Sequence, residues 1–461
     1  MLVICGNCGY NSIYKNYVRD VVVLVFSSIE FLLYFLPIFI LVYMIVPQRP
    51  RNGVLVIGSL IFYAYGDLRW LGLLVVSAVC NFILARVIRR KSGLIAAVAV
   101  NIGVLVVFKY YQGGAMLPLG ISFYTFQVVS YLVDVYRREV PAERKFWDFA
   151  AYIMMFPKLV MGPITSYQEV RRQLRRRICN AESLQDGLKL FILGLCGKVL
   201  LADQLALLWN EVQVTGYESI STPLAWIAAV AYSLQLYFDF AGYSLMAVGL
   251  GRMLGFGLPE NFRQPYMALS VREFYRRWHM SLGDWFCKYV YIPLGGSRRG
   301  EGRTVCNLLM VWLLTSLWHG ITGNFLIWGM GICLLIILER QVGRLWKGKA
   351  PAVCHLYLWA VIPVTWMCFA ITDLGQLGIY LSRMFGLGES VAVYAQDWQR
   401  ALIDYGLLLG AGMAASTPLV RWVYQKLEKR WFGMLLLAVG FWFCVHKIIL
   451  EGGNPFMYRN F

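Results

Sequence analysis

The sequence predicts an all-α protein that passes many times through a membrane. Three observations carry that prediction. Hydrophobic residues make up 59% of the 461 residues against 15% charged, and mean hydropathy is +0.59. Apolar stretches that approach the roughly 20 helical residues needed to cross a bilayer recur along nearly the whole chain. Helix is the expected form, because backbone amides in lipid must find their partners within their own segment.

In order, the apolar stretches cover residues 21–46, 53–65, 70–85, 93–108, 117–134, 147–164, 187–209, 223–250, 305–338, 354–372, 401–420 and 432–450. Those too short or too polar to cross alone read as re-entrant or interfacial, which leaves about 11 transmembrane helices. The first 20 residues lack a basic start followed by an apolar core, so no cleavable signal peptide is expected. Neither a solenoid-length repeat nor a low-complexity linker interrupts the chain, and one membrane domain is the simplest organisation.

Lys and Arg number 43 against 25 Asp and Glu, a net charge of +18. In a membrane protein this excess reads as loop charge on the cytoplasmic side before it reads as nucleic-acid binding. The connectors after the first, third and fifth stretches carry Arg49 and Arg51, then Arg86, Arg89, Arg90 and Lys91, then Arg137, Arg138, Arg144 and Lys145. Between them lie only Asp67 and Arg69, then Lys109. The run "RRQLRRR" at 171–177 belongs with the basic loops, as an orientation signal or a contact for anionic lipid rather than a dedicated site. The 11 cysteines are scattered, so no disulfide framework is indicated, and Cys5 with Cys8 lacks the second pair that a zinc site needs. No metal is expected.

Ionisable side chains in apolar segments cost at least ~2.5 kcal/mol at the bilayer centre and are therefore candidate sites. Asp239 lies among aromatics in "LQLYFDFAGYSLMAVGLG" (234–251), either as a buried carboxylate holding helices together or in a functional role. Residues 259–300 are too polar to span and too aromatic for a solvated loop. They suit the headgroup level, where Arg276, Arg277 and Trp278, just before His279, either snorkel or grip the phosphates of a nucleotide-bearing donor. His319, in "TSLWHGITGN" (315–324), is one of only 4 histidines. It could bridge helices, relay a proton, bind metal or act as a general base. The histidines include no helical H-x-x-x-H pair, which argues against metal.

These residues carry a resemblance. "VFSSIEFLLYFLPIF" (25–39), "LPLGISFYTFQVVSYLVDVYR" (117–137), "FPKLVMGPI" (156–164), "YFDFAGYS", "PENFRQPY", "EFYRRWHMSL", "YIPLGGSRRG" and "SLWHG" together resemble the membrane-bound O-acyltransferase (MBOAT) family. Within it the chain resembles the bacterial branch of the alginate O-acetyltransferase membrane subunit and the teichoic acid D-alanyl transferase, and the former more closely. The resemblance covers about residues 24–461. It implies a funnel-shaped bundle with re-entrant helices around a central tunnel from cytosol to exterior. It implies His319, between Trp318 and Gly320, as the catalytic histidine, and His279 as the second, with Arg276 and Arg277 beside it. Family members commonly start with methionine at the position of Leu24, which makes residues 1–23 an expected N-terminal extension. Lys15 and Arg19 also fit the charge rule poorly. Many alginate-type members carry aspartate at Leu245, arginine at Ser166 and histidine-glycine at Ile332 and Cys333. These departures leave the acceptor polysaccharide open.

The expected activity is transfer of a short acyl group, acetyl above all, from a cytosolic thioester to a hydroxyl reached from outside. The donor is acetyl-CoA or an acylated carrier protein, with no tightly bound cofactor. His319 would be the general base and His279 or a backbone amide the oxyanion partner, with Asp239 as an orienting carboxylate. The partners are an extracytoplasmic acceptor protein and a polysaccharide, and the place is the bacterial cytoplasmic membrane. D-alanyl transfer to teichoic acid is the alternative cargo. A transporter or channel is the alternative class, against which stand the lack of internal symmetry and the near isolation of Asp239.

Overall fold

A computed structural model describes residues 25–111, 117–343, 350–387, 394–428 and 430–451. Cys5, Cys8, Lys15, Arg19 and the expected extension at 1–23 lie outside the described residues. The regular elements are helices: α1 (Glu30–Ile45), α2 (Arg51–Asp67), α3 (Leu71–Val87), α4 (Lys91–Tyr110), α5 (Ile121–Tyr136), α6 (Phe146–Met154), α7 (Phe156–Leu159) and α8 (Tyr167–Arg175). Then follow α9 (Ala181–Thr215), α10 (Thr222–Met253), α11 (Val271–Arg277), α12 (Met280–Phe286), α13 (Glu301–His319), α14 (Gly323–Gln341), α15 (Pro351–Ala370), α16 (Leu374–Met384), α17 (Asp397–Ala415), α18 (Leu419–Leu427) and α19 (Trp431–Glu451).

Among the described residues, 7 helical stretches are long and apolar enough to cross a membrane, or 8 if α17 and α18, bent by 74°, count as one. The sequence pattern suggested about 11, and several of its stretches divide or join in the structure. Residues 147–164 do not form one span: they break into helices of 9 and 4 residues, because Met155 is extended (ψ 119°) and Pro157 follows it. Residues 305–338 are a helical hairpin interrupted at Gly320 (φ 174°, ψ 168°), with Thr322 extended as the residue capping α14. The stretches at 53–65 and 70–85 are α2 and α3, which bend at Asp67 (φ −162°, ψ 78°) and run on through a short turn at Leu68–Trp70, so that Arg51–Val87 counts as one candidate span.

The basic connectors gather on one face, as the charge distribution predicts. Arg86 donates to the carbonyls of Glu143 and Arg144, Arg175 pairs with Glu143 at 2.9 Å, and Lys288 reaches Asp134 at 3.0 Å and Glu139 at 2.7 Å. Part of the "RRQLRRR" run is spent internally. Arg177 is buried and donates to Tyr43 at 2.6 Å and to Asn52 at 2.7 Å. Ser166 caps α8 together with Glu169.

The centre of the bundle is the antiparallel pair α9 and α10. α10 has 32 residues, so it rises about 48 Å, from Ser221, whose side chain caps it, to Leu254 on the basic face, whose carbonyl accepts from Tyr43. Small residues let the two backbones meet. A Cβ on Gly194 would lie 2.5 Å from the Gly242 carbonyl oxygen, and one on Gly249 would lie 2.6 Å from that of Gly187. Just beyond this contact, Lys198 of α9 and Asp239 of α10 form an ion pair at 3.0 Å.

Candidate active site

The hairpin of α13 and α14 sets the depth of His319. Its first leg leaves the basic segment 297–303, where Arg303 holds the Leu294 carbonyl and Asn307 that of Gly296. With 19 residues it rises about 28 Å before it ends at His319. The terminal carbonyls, which have no partner within the helix, are met by side chains of α4. The Lys109 ammonium donates to the Trp318 carbonyl and the Tyr110 hydroxyl to that of Leu317. Gly320 is required by crowding: a Cβ there would fall 2.5 Å from the Phe325 ring. That ring lies against His319, whose imidazole is also flanked by Trp318, Trp328 and Phe369 at centroid distances of 4.5, 4.9 and 5.1 Å.

His279 occupies the junction of α11 and α12 in the left-handed region (φ 46°, ψ 53°), uncommon for a residue with a Cβ. Asn261, in the "PENFRQPY" loop, holds it there. Its carbonyl oxygen accepts from Met280 N at 2.9 Å. Its Oδ1 meets Ser281 N at 3.2 Å, Ser281 Oγ at 2.9 Å and His279 Nδ1 at 3.1 Å. The Phe240 ring packs edge-on against the imidazole at 4.7 Å.

Both histidines are buried and line one cavity of about 310 Å³. One end of it is aromatic, with Trp278, Trp312, Trp328 and Trp366, and the other carries Arg272, Arg276 and Arg340. Glu339, next to Arg340, is the neighbouring carboxylate, and the Val271 and Arg272 amides hold it at 2.6 and 3.0 Å. Among the described residues no carboxylate forms an ion pair with any of these three guanidinium groups. The guanidinium end lies toward the basic face, where Lys288 follows the cavity residue Cys287.

The expected residues therefore divide. His319, His279 and Arg276 line the cavity, and Trp318 stands between Lys109, Phe126 and His279. Arg277 turns away to Glu273, and its carbonyl accepts from Arg263 N at 2.9 Å. Asp239 is not among the lining residues; its carboxylate is engaged by Lys198, while its neighbour Phe240 supplies the contact with His279. The sequence reading did not single out Asn261, Arg272 or Arg340. Asn261 has no charge to mark it, although it sits inside a motif that carried the resemblance. Arg272 and Arg340 are remote from each other in sequence and converge only through the return of α14.

Comparison with known proteins agrees with this geometry. Residues 104–372 match the membrane-bound O-acyltransferase family. A probable alginate O-acetylase of Pseudomonas syringae pv. tomato is 36% identical over 85% of this chain and 79% of its own length. The peptidoglycan O-acetyltransferase of Helicobacter pylori is 29% identical over 96% and 98%. The teichoic acid D-alanyltransferase of Bacillus subtilis is 28% identical over 46% and 56%. These matches favour the alginate-type side of the branch and set aside the transporter or channel reading. A multi-pass helical bundle, two buried histidines on one cavity and this extent of similarity have one common explanation: the chain belongs to the membrane-bound O-acyltransferase family and is an acyltransferase.

Proposed function

We propose that this cavity transfers an acetyl group from a phosphate-bearing thioester, which enters at the basic face, to a hydroxyl that serves an extracytoplasmic polysaccharide. One observation carries the reading. Two buried imidazoles share a cavity whose other end holds three guanidinium groups that, among the described residues, form no ion pair with a carboxylate, while the neighbouring Glu339 is occupied by backbone amides. Coenzyme A and the phosphopantetheine arm of a carrier protein both end in a small acyl thioester and carry phosphate, the group that guanidinium binds best. The acceptor oxygen attacks the thioester carbon, the C–S bond breaks, and the proton of the hydroxyl passes by way of imidazole to the departing sulfur. His319 is the proposed general base and His279 the second imidazole of the centre. The packing around Trp318, Trp328 and Phe369 keeps the centre apolar, so a thioester held there is shielded from hydrolysis. The cytoplasmic membrane of a bacterium is the proposed location, and a partner protein outside it the proposed carrier of the acetyl group to polymer.

The test is polymer analysis of a deletion strain complemented with wild type or His319→Ala. Loss of polymer-bound acetate in the deletion, restored by wild type and not by His319→Ala, is expected, with purified His319→Ala slower by ~10²-fold or more. Normal acetylation by His319→Ala refutes the mechanism. Loss of bound D-alanine in place of acetate transfers the reading to teichoic acid.

A further inference from the structure

We propose that Asn261 is a positioning residue that fixes the tautomer of His279, so that Nε2 presents a lone pair to the cavity and the neutral ring accepts, rather than donates, a hydrogen bond there. The proposal rests on reading the cavity as the transfer centre and adds the state of its second imidazole.

The hydrogen-bond pattern around Asn261 leaves little freedom. Ser281 N is a backbone amide and can only donate, so the Asn261 atom 3.2 Å from it is the oxygen. The Ser281 hydroxyl lies 2.9 Å from the same oxygen and 3.0 Å from Ile164 N, a second amide that can only donate. The hydroxyl oxygen therefore accepts from Ile164 and its hydrogen goes to Asn261. What remains is His279 Nδ1, 3.1 Å from that acceptor. A hydrogen bond there requires Nδ1–H, and a neutral imidazole protonated at Nδ1 has its lone pair on Nε2. Among the described residues no group hydrogen-bonds Nε2, which is buried on a residue lining the cavity.

The backbone supports the same purpose. His279 is one of three non-glycine residues with positive φ among those described. Such strain persists only where the surroundings over-determine it, and here the Asn261 carbonyl fixes the next amide while its side chain fixes the ring. The scaffold behind it is rigid. Thr165, next to Ile164, accepts from the fully buried Lys158 at 2.9 Å, and that ammonium also donates to Gln127 at 2.7 Å. One consequence concerns the oxyanion. A neutral His279 cannot be its donor from the outset, and becomes one only after Nε2 has taken a proton.

Several ionisable groups bear on this ring. They are His319 and, across Trp318, Lys109 from the neighbouring helices, and Arg276 on its own segment. Asp239, next to Phe240, is paired with Lys198.

The test combines nitrogen-15 NMR of histidine-labelled protein in lipid with kinetics of acetyl transfer. In wild type, His279, assigned by its loss in His279→Gln, is expected to be protonated at Nδ1 and bare at Nε2. Asn261→Ala is expected to lower kcat by on the order of 10²-fold with the donor KM unchanged, and to mix the tautomers. Asn261→Asp keeps the acceptor oxygen; it is expected to retain the tautomer and at least a tenth of kcat, and to move the acidic limb of the kcat profile to higher pH, because a carboxylate favours imidazolium. A wild-type ring protonated at Nε2 overturns the proposal, as does folded Asn261→Ala with wild-type kcat, or an Asn261→Asp profile that superimposes on wild type. The NMR arm needs no turnover, so absence of acetyl transfer by the wild-type protein would sink the proposed function and still leave the tautomer to be decided.

Discussion

Replacing Asp239 separates a helix-binding carboxylate from a catalytic one. Its side chain is about 2% exposed and lies 3.0 Å from the Lys198 ammonium, which is equally buried, and Lys198 also pairs with Asp203 of its own helix. Removing one partner of a buried ion pair costs about 3–5 kcal/mol, because the other charge is left in a medium that cannot solvate it. The two partners are not equivalent. Asp239→Asn leaves Lys198 with Asp203, which points to the lower end, about 3 kcal/mol, or roughly a hundredfold in the folded population. Lys198→Met removes the cation that both carboxylates share, which points to the upper end, about 5 kcal/mol. The double variant Lys198→Met with Asp239→Leu removes the more deeply buried pair as a whole and leaves Asp203, whose side chain is 14% exposed, so it is expected to recover part of the loss. Unfolding by SDS titration in mixed micelles gives the order wild type, double variant, Asp239→Asn, Lys198→Met. Acetyl transfer by Asp239→Asn, assayed where it is fully folded, should stay within a few-fold of wild type. An Asp239→Asn protein that unfolds at the wild-type SDS fraction yet transfers no acetyl group would refute this reasoning and return Asp239 to the reaction.

Two further outcomes follow from groups nearer the basic face. Arg276→Gln should raise the donor KM by roughly 10- to 100-fold with little change in kcat, since a hydrogen bond to a charged group contributes about 1.5–3 kcal/mol. With acetyl-pantetheine, which lacks phosphate, variant and wild type should coincide, and a KM difference that persists there would show that Arg276 does not act on phosphate. Glu143 gives a pH dependence. Burial pushes its carboxyl up, but the Tyr167 hydroxyl, the Lys145 and Arg144 amides and the Arg175 guanidinium outweigh it and hold the folded value below the ordinary 4.5. A group depressed on folding stabilises above its unfolded value, and the contribution fades as pH falls through the folded one. Glu143→Gln should therefore unfold more easily than wild type at pH 7 and lose less stability on acidification below about pH 4.5; parallel stability curves for the two proteins would contradict this.

The membrane class, the helical form and the basic face were legible in the sequence because each rests on a one-dimensional signal, hydropathy or charge per loop; His319 stood out as an ionisable residue in an apolar run, whereas His279, in a segment too polar to span, was marked mainly by the resemblance. Breaks in helices were less legible. Residues 147–164 read as one apolar stretch, yet the extended Met155 and Pro157 divide it, and hydropathy averages do not register backbone direction. The run at 171–177 read as surface charge, whereas Arg177 is buried against Tyr43 and Asn52; a sequence cannot tell which arginine of a cluster meets the interior. Asn261 was missed for a chemical reason, since a search for titratable groups passes over an amide whose only role is to accept hydrogen bonds.

The helix interior holds two kinds of polar group, and the distinction bears on function. Lys198 and Asp239 answer each other across the helix contact. Lys158, fully buried, is met by Gln127, Thr165 and the face of Tyr152. Asn324 bonds the carbonyls of Cys368 and Phe369 at the end of α15. In each case protein groups offset the desolvation, and the return is a fixed arrangement of helices. His279 is different: Asn261 holds its Nδ1, while among the described residues no group hydrogen-bonds its buried Nε2, on a ring that lines the cavity. Burial without internal compensation is unfavourable to folding by itself, so such groups persist where a ligand completes them. The intramembrane cost that made every polar residue a candidate from sequence is thus divided by structure. Lys198, Asp239, Lys158 and Asn324 build the scaffold, whereas His279, held at one nitrogen and bare at the other among the described residues, fits the proposed encounter with substrate.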